Sequence, residues 1–106
     1  MVYRKALISR SRRLILHKMD TVHTLEPGNT YAVQSGAFAG ELLIFIDKDQ
    51  DNYNFLAVPT MLNRSVPCDS FDLAWNSGII EFVEQVPDYV VQVSTTQYYE
   101  NEKLNN

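Results

Sequence analysis

The feature that most constrains this chain is a pair of apolar segments separated by a short polar turn. Residues 41–46 and 53–58 are rich in Leu, Ile, Phe and Val, and residues 47–52 between them are Asp, Lys, Gln and Asn. Short apolar runs bounded by Asp and Asn are typical of two β-strands joined as a hairpin. The sequence therefore predicts a fold built around this hairpin.

Further short apolar segments flank the hairpin on both sides. Strands are predicted at residues 30–34, 71–75, 79–83 and 89–93, with turns at Pro27-Gly28 and Ser77-Gly78. Residues 62–69, which contain Pro67, are expected to form an irregular loop. Five or six strands at spacings of about ten residues predict a mainly β protein, a small antiparallel barrel or sandwich.

The 106 residues are expected to form one domain. Residues 1–24 form a basic arm or helix packed on it, residues 25–96 form the barrel, and residues 97–106 form a polar tail that frays. Alternation of apolar and polar residues along the strands predicts the core. The core residues expected to be buried are Leu43, Phe45, Leu56, Val58, Ile80, Phe82 and Val91.

Basic residues are concentrated at the N-terminus. Six of the nine lie in the first 18 positions, where no acid occurs: Arg4, Lys5, Arg10, Arg12, Arg13 and Lys18. The other 88 residues carry 3 basic and 13 acidic residues, a net charge of −10. A basic arm on an acidic body indicates contact with a polyanion, with an acidic partner surface, or with the body itself. Residues 1–24 fit a helix or a hairpin, and both alternatives stay open.

Several classes of site and location are not indicated. Cys68 is the single cysteine, so no intramolecular disulfide is possible, and a cytoplasmic location is expected. The longest apolar run, residues 42–46, is far short of the roughly 20 residues that span a bilayer. His17, Asp20 and His23 are spaced by threes but lack a further ligand cluster. The sequence therefore predicts no membrane contact, no metal and no cofactor.

A glycine loop is the second candidate contact surface, after the arm. Residues 33–41, leading into residues 43–46, contain Gly36-Ala37-Phe38-Ala39-Gly40. This pattern resembles the KOW element of transcription and ribosomal proteins, in which a G-x-F-x-G loop joins two strands. The resemblance implies an SH3-like barrel. An aromatic residue at a loop tip, here Phe38, can stack on an unpaired base or anchor a protein contact.

A longer stretch, roughly residues 25–91, is similar to the MazF/PemK toxin family in the order of its elements. The matching landmarks are Val58-Pro59-Thr60, Ser77-Gly78 and Gln85-Val86. The resemblance implies an SH3-like barrel and RNA cleavage by a threonine acting with an arginine. Thr60 stands at the threonine position, but Glu41 stands where the family carries its arginine, and a carboxylate there would repel the scissile phosphate. Arg64, in the following loop, is the remaining candidate for the cation.

Three functions follow from these features. The first is a non-enzymatic module that binds nucleic acid or a protein of the nucleic-acid machinery through the basic arm and the Phe38 loop. The second is a MazF/PemK-like endoribonuclease, active or degenerate, that uses Thr60 and Arg64. The third is a small acidic inhibitor that occupies a basic site on another protein. The oligomeric state is open, with a homodimer as one option.

Overall fold

The structure is a computed structural model and describes residues 24–104. These residues form a mainly β unit, in which five antiparallel strands make one open sheet and two helices pack against it. The strands are β1 (Asn29–Val33), β2 (Leu42–Lys48), β3 (Asn52–Val58), β4 (Asn63–Pro67) and β5 (Ile80–Gln85). The helices are α1 (Cys68–Asn76), between β4 and β5, and α2 (Asp88–Leu104), after β5.

The predicted hairpin is confirmed as β2 and β3. Phe45 lies opposite Phe55 and Leu43 lies opposite Ala57, so the apolar residues of the two strands share faces. The turn is closed by the Asp49 carboxylate, which accepts hydrogen bonds from the backbone N–H groups of Asp51 and Asn52 at 3.1 and 3.0 Å. Asp and Asn stabilise turns in this way because their short side chains reach the neighbouring backbone.

The sheet has the order β4-β3-β2-β1-β5, so the last strand returns to pair with the first. β4 and β5 are therefore the two edges of the sheet. The β1–β5 pairing contains a bulge at which Val83 has no partner on β1. The prediction of an antiparallel, mainly β fold is confirmed.

The two faces of the sheet are covered by different helices. The first face carries an aromatic core in which the rings of Tyr31 and Phe55 meet Phe71 of α1 at centroid distances of 5.3 and 5.8 Å. On the second face, Tyr98 of α2 packs against Ile46 and Leu56. Because β2 lies between the two cores, Leu43, Ile44, Phe45 and Ile46 are all buried.

The core prediction holds for four residues, since Leu43, Phe45, Leu56 and Ile80 are buried. Val58 and Val91 are half-buried rather than buried. Phe82 was expected in the core but is 46% exposed. Its strand, β5, is an edge of the sheet, and its ring reaches the core through an edge contact with Tyr31 at 5.8 Å.

The prediction of a strand at residues 71–75 is wrong, because these residues belong to α1. Helical spacing places Phe71, Ala74 and Trp75 on the face that meets the core, whereas Leu73 points away and is 70% exposed. The predicted loop at residues 62–69 is also wrong, since it contains β4. Pro67 is tolerated there because it is the last residue of an edge strand.

The prediction of a strand at residues 89–93 is wrong as well, because α2 begins at Asp88. Pro87 precedes the helix, and its carbonyl accepts hydrogen bonds from the N–H groups of Val90 and Val91. Residues 97–104, expected in a frayed tail, are instead the second half of α2. Neither helix within residues 24–104 is long and apolar enough to cross a membrane.

Candidate binding surface

The candidate surface begins with the loop between β1 and β2, residues 34–41. Backbone hydrogen bonds close this loop on itself, from Ala39 N to Gly36 O at 3.2 Å and from Glu41 N to Phe38 O at 3.1 Å. Gly36 and Gly40 have φ values of 94° and 89°, a conformation that side-chain-bearing residues adopt only with strain. The glycines therefore allow the tight path that carries Phe38 back toward the sheet.

Phe38 is half-buried and packs against the aromatic core of the first face. The guanidinium carbon of Arg64, on β4, lies 4.5 Å from the centroid of the Phe38 ring. This is the geometry of a cation–π contact, which attracts the positive charge to the ring face. The expectation of a projecting aromatic tip is therefore modified, because one face of the ring is already covered.

Arg64 also forms a two-pronged ion pair with Glu41. Its Nε donates to Glu41 Oε1 at 3.1 Å and its terminal nitrogen donates to Oε2 at 2.7 Å. The side chains are 24% and 13% exposed, so the pair is partly withdrawn from water. These bonds lower the pKa of the Glu41 carboxyl below its usual 4.5 and raise the pKa of Arg64. The loop is thereby fastened to β4.

The groups of the Phe38–Arg64–Glu41 cluster can form hydrogen bonds and stacking contacts. A guanidinium carries more N–H donors than the two that Glu41 uses, so Arg64 retains donors for another acceptor. Its planar group can also stack on a base or on another aromatic ring. The nearby carboxylate limits the attraction for phosphate. The cluster is therefore preformed, and the charges of Arg64 and Glu41 balance each other.

The residues predicted for RNA cleavage are placed differently from the expectation. Thr60 is exposed in the turn between β3 and β4, which is closed by a 2.8 Å hydrogen bond from Met61 N to Ala57 O. Arg64 lies on β4 rather than in a loop, and its guanidinium is held by Glu41. The sequence indicates a repulsive carboxylate at position 41; the structure adds the cation that pairs with it.

The remaining predicted contact residues lie outside the described part of the chain. They are Arg4, Lys5, Arg10, Arg12, Arg13 and Lys18, and the histidine pair His17 and His23 lies outside it too. Between residues 24 and 104 no group of three or more potential metal-binding side chains occurs. That stretch carries 12 acidic and 3 basic residues, a net charge of −9, so its electrostatics are dominated by carboxylates.

A polar network between α2 and the sheet was not predicted from the sequence. Asn63 of β4 donates to the Tyr98 carbonyl at 3.0 Å and to Glu102 Oε2 at 2.8 Å. Asn101 donates in turn to Asn63 Oδ1 and to the Met61 carbonyl, both at 2.9 Å. These partners are 35 to 40 positions apart in sequence, so local patterns carry no signal for them.

No family model matches the chain, and no curated protein matches it in sequence.

Proposed function

We propose that the protein is a non-enzymatic binding module that contacts nucleic acid or a protein of the nucleic-acid machinery. Its basic arm, residues 1–18, supplies the cations, and the Phe38 loop supplies a second contact surface. The observation that carries the proposal is the braced Phe38–Arg64–Glu41 cluster. A contact surface that is already ordered loses little conformational entropy when a partner binds.

The strand order is consistent with the fold that this proposal assumes. A meander from β1 to β4 with β5 beside β1 supports the expected SH3-like barrel, in which the KOW-like loop would join β1 and β2; the sheet itself is open between β4 and β5. The closed loop and its half-buried aromatic residue fit the G-x-F-x-G pattern on which the resemblance rests.

The test is an RNA gel shift at two salt concentrations. Neutralising Arg10, Arg12 and Arg13 to Gln should weaken binding and flatten its salt dependence by about three phosphate contacts. The matched control neutralises the two exposed cations of the body, Lys48 and Lys103, and should change affinity little. An equal loss of RNA affinity in the two variants would contradict a specific role for the arm.

The loop is tested with a pair of phenylalanines. Phe38→Ala should weaken partner binding several-fold, because it removes the ring that positions the Arg64 guanidinium for stacking and hydrogen bonding. Phe82→Ala removes another half-exposed phenylalanine, on the edge strand β5 opposite Tyr31 rather than in the loop, and should leave affinity unchanged. If neither RNA nor DNA binds at low salt, the nucleic-acid version is rejected, and a pull-down from host lysate tests the protein version.

A second candidate is the MazF/PemK-like endoribonuclease. The observation in its favour is that Arg64 brings a guanidinium to Glu41, the position at which that family carries arginine. We expect no cleavage, because Glu41 balances that charge. Multi-turnover cleavage of the same RNA, abolished by Thr60→Ala and by Arg64→Ala, would establish this candidate and reject the binding module.

A third candidate is the acidic inhibitor, favoured by the excess of carboxylates between residues 24 and 104. Such a protein would bind a basic protein surface, and its association rate would fall steeply as salt is added. The arm-neutralising triple variant would then bind at least as fast as the wild type. Slower association of that variant would reject the inhibitor.

A further inference from the structure

We propose that the chain's own N-terminal segment, residues 1–23, docks on an uncovered row of the sheet's second face. This row, called here the open row, consists of Ala32, Leu42 and Val58, which lie side by side on β1, β2 and β3. On β5, Glu81 lies opposite Ala32 and so extends the open row. Glu84 lies opposite Thr30, in the neighbouring row. This inference concerns intramolecular packing and does not rest on the proposed binding of a polyanion.

Strand pairing places the open row on the second face. Tyr31 and Val33 belong to the core of the first face, so Ala32 between them points to the second face. Its cross-strand partners Leu42 and Glu81 share that face. The Glu81 carboxylate accepts a 3.4 Å hydrogen bond from Gln34, which is two residues after Ala32 and on the same face.

The cover provided by α2 ends before the open row. Tyr98 packs on Ile46 and Leu56, and the row formed by Thr30, Ile44 and Leu56 is buried. Leu42 is four residues from Ile46, about 13 Å along the strand, and is 38% exposed. Ala32 and Val58 are only half-buried. An apolar row beside an edge strand is the kind of surface that proteins cover.

The negative charge at the β5 end of the open row indicates which segment or partner can dock there. Carboxylates at Glu81 and Glu84 would repel nucleic acid. A second copy that docked through the same surface would add the same two carboxylates, and neither the open row nor its acidic end holds a cation to pair with them. Residues 1–18 instead combine apolar triplets, Ala6-Leu7-Ile8 and Leu14-Ile15-Leu16, with six cations and no acid. An apolar and basic segment complements an apolar row with an acidic end.

The segment is long enough to reach the open row, but it must pass around the end of the sheet, because Leu25 packs against the core of the first face. Gly28 O accepts a 3.0 Å hydrogen bond from Val86 N, so the chain joins the sheet beside the end of β5. Leu16 is eight residues upstream of Thr24, and eight extended residues span up to about 26 Å. The longest strands of the sheet have seven residues, or about 23 Å. Covalent attachment further raises the local concentration of the segment to the millimolar range.

The test is hydrogen exchange with mass spectrometry on the full chain. Amides within residues 6–16 should be protected in the wild type relative to a synthetic peptide of residues 1–23. Leu42→Lys should speed their exchange about tenfold, the factor that corresponds to about 1.4 kcal/mol. The matched control, Leu73→Lys, places the same charge on an exposed leucine of α1 and should change nothing. Unchanged exchange in β2 and β3 confirms that each variant remains folded.

The acidic end is tested by the double variant Glu81→Lys and Glu84→Lys, which should also deprotect residues 6–16. Three results would overturn the inference. The first is exchange in the wild-type chain as fast as in the synthetic peptide. The second is protection that neither variant reduces, which would place the contact elsewhere. The third is protection that rises with protein concentration, which would mean that a second copy supplies the segment.

Discussion

Gly28 lies so close to Val91 that a β-carbon on residue 28 would come within 2.7 Å of Val91 Cγ2. The same β-carbon would lie 3.3 Å from the carbonyl oxygen of Val86. Gly28 therefore lets the start of β1 pack directly against the first turns of α2. From the sequence, Gly28 was predicted only as part of a turn. In the structure, Gly28 also makes room for α2, a helix that was not predicted.

Gly28→Ala is expected to destabilise the protein by about 2–5 kcal/mol, as measured by urea unfolding. A positive φ costs a side-chain-bearing residue about 1–2 kcal/mol, and forcing a methyl group against a stiff valine adds about 1–3 kcal/mol. Gly36→Ala is the matched control, because Gly36 has the same φ of +94° and nothing within 4 Å of its β-carbon. Equal losses in the two variants would show that α2 does not press on Gly28.

Phe45→Ala is expected to cost about 3–5 kcal/mol, since its side chain is 4% exposed and truncation leaves a cavity. Phe82→Ala removes the same atoms from a ring that is 46% exposed and should cost about 1 kcal/mol, roughly half of a full side-chain burial. The comparison is made by urea unfolding of both variants. A larger loss for Phe82 would contradict the assignment of β5 as an edge strand.

The hairpin was predictable because its signal is local. Alternation within residues 41–46 and 53–58 and the Asp and Asn residues between them specify both strands and their turn. The segment at residues 71–75 was not predictable in the same way. Phe71, Leu73 and Trp75 fit a strand, whereas Phe71, Ala74 and Trp75 fit a helix. A segment of five residues is too short to separate the strand repeat from the helix repeat. Packing against the aromatic core decides in favour of the helix.

α2 was missed because its sequence favours the wrong structure at its start. Val90, Val91 and Val93 have high β-propensity, and the inward face further along includes Ser94. The helix is specified mainly by tertiary contacts, those with Gly28 and Asn63 and the packing of Tyr98 against Ile46 and Leu56. The candidate site was half predictable: the loop pattern indicated Phe38, but the pairing of Glu41 with Arg64 across 23 positions has no local signal.

The Arg64–Glu41 pair is expected to show a coupling energy of about 1 kcal/mol in a double-mutant cycle of Arg64→Ala and Glu41→Ala. This coupling energy is at the upper end of the range for ion pairs near a surface, because the Arg64–Glu41 pair has two hydrogen bonds and is partly buried. The cycle is measured by urea unfolding at neutral pH. Additive losses would show that the ion pair does not stabilise the fold.

The same pair predicts a pH dependence. Arg64 lowers the pKa of Glu41 in the folded protein, so the stabilisation is complete above the ordinary value of 4.5 and is lost as pH falls through the folded pKa. The difference in stability between the wild type and Glu41→Gln should therefore shrink as pH falls below 4.5. In an Arg64→Ala background this pH dependence of the difference should disappear. Its persistence there would assign the effect to another group.

The last prediction concerns the hydrogen bond that the Tyr99 hydroxyl donates to Asp47 Oδ2, which joins α2 to the end of β2. This bond to a carboxylate, followed by partial burial and the repulsion of nearby charges, raises the pKa of Tyr99 to about 12. Because the folded pKa lies above the ordinary value of 10, the stabilisation is complete below pH 10 and is lost as pH rises toward 12.

Alkaline titration followed by tyrosinate absorbance checks this expectation. Asp47→Asn should lower the pKa of Tyr99 toward 10, because the carboxylate that disfavours the tyrosinate is removed. The amide oxygen of the variant can still accept the 2.9 Å hydrogen bond from Asn54, so the hairpin end is retained. Tyr99→Phe identifies the signal, since Tyr31 also has a pKa of about 12, raised chiefly by burial. If Asp47→Asn leaves the titration unchanged, the Asp47 carboxylate is not what holds the Tyr99 proton.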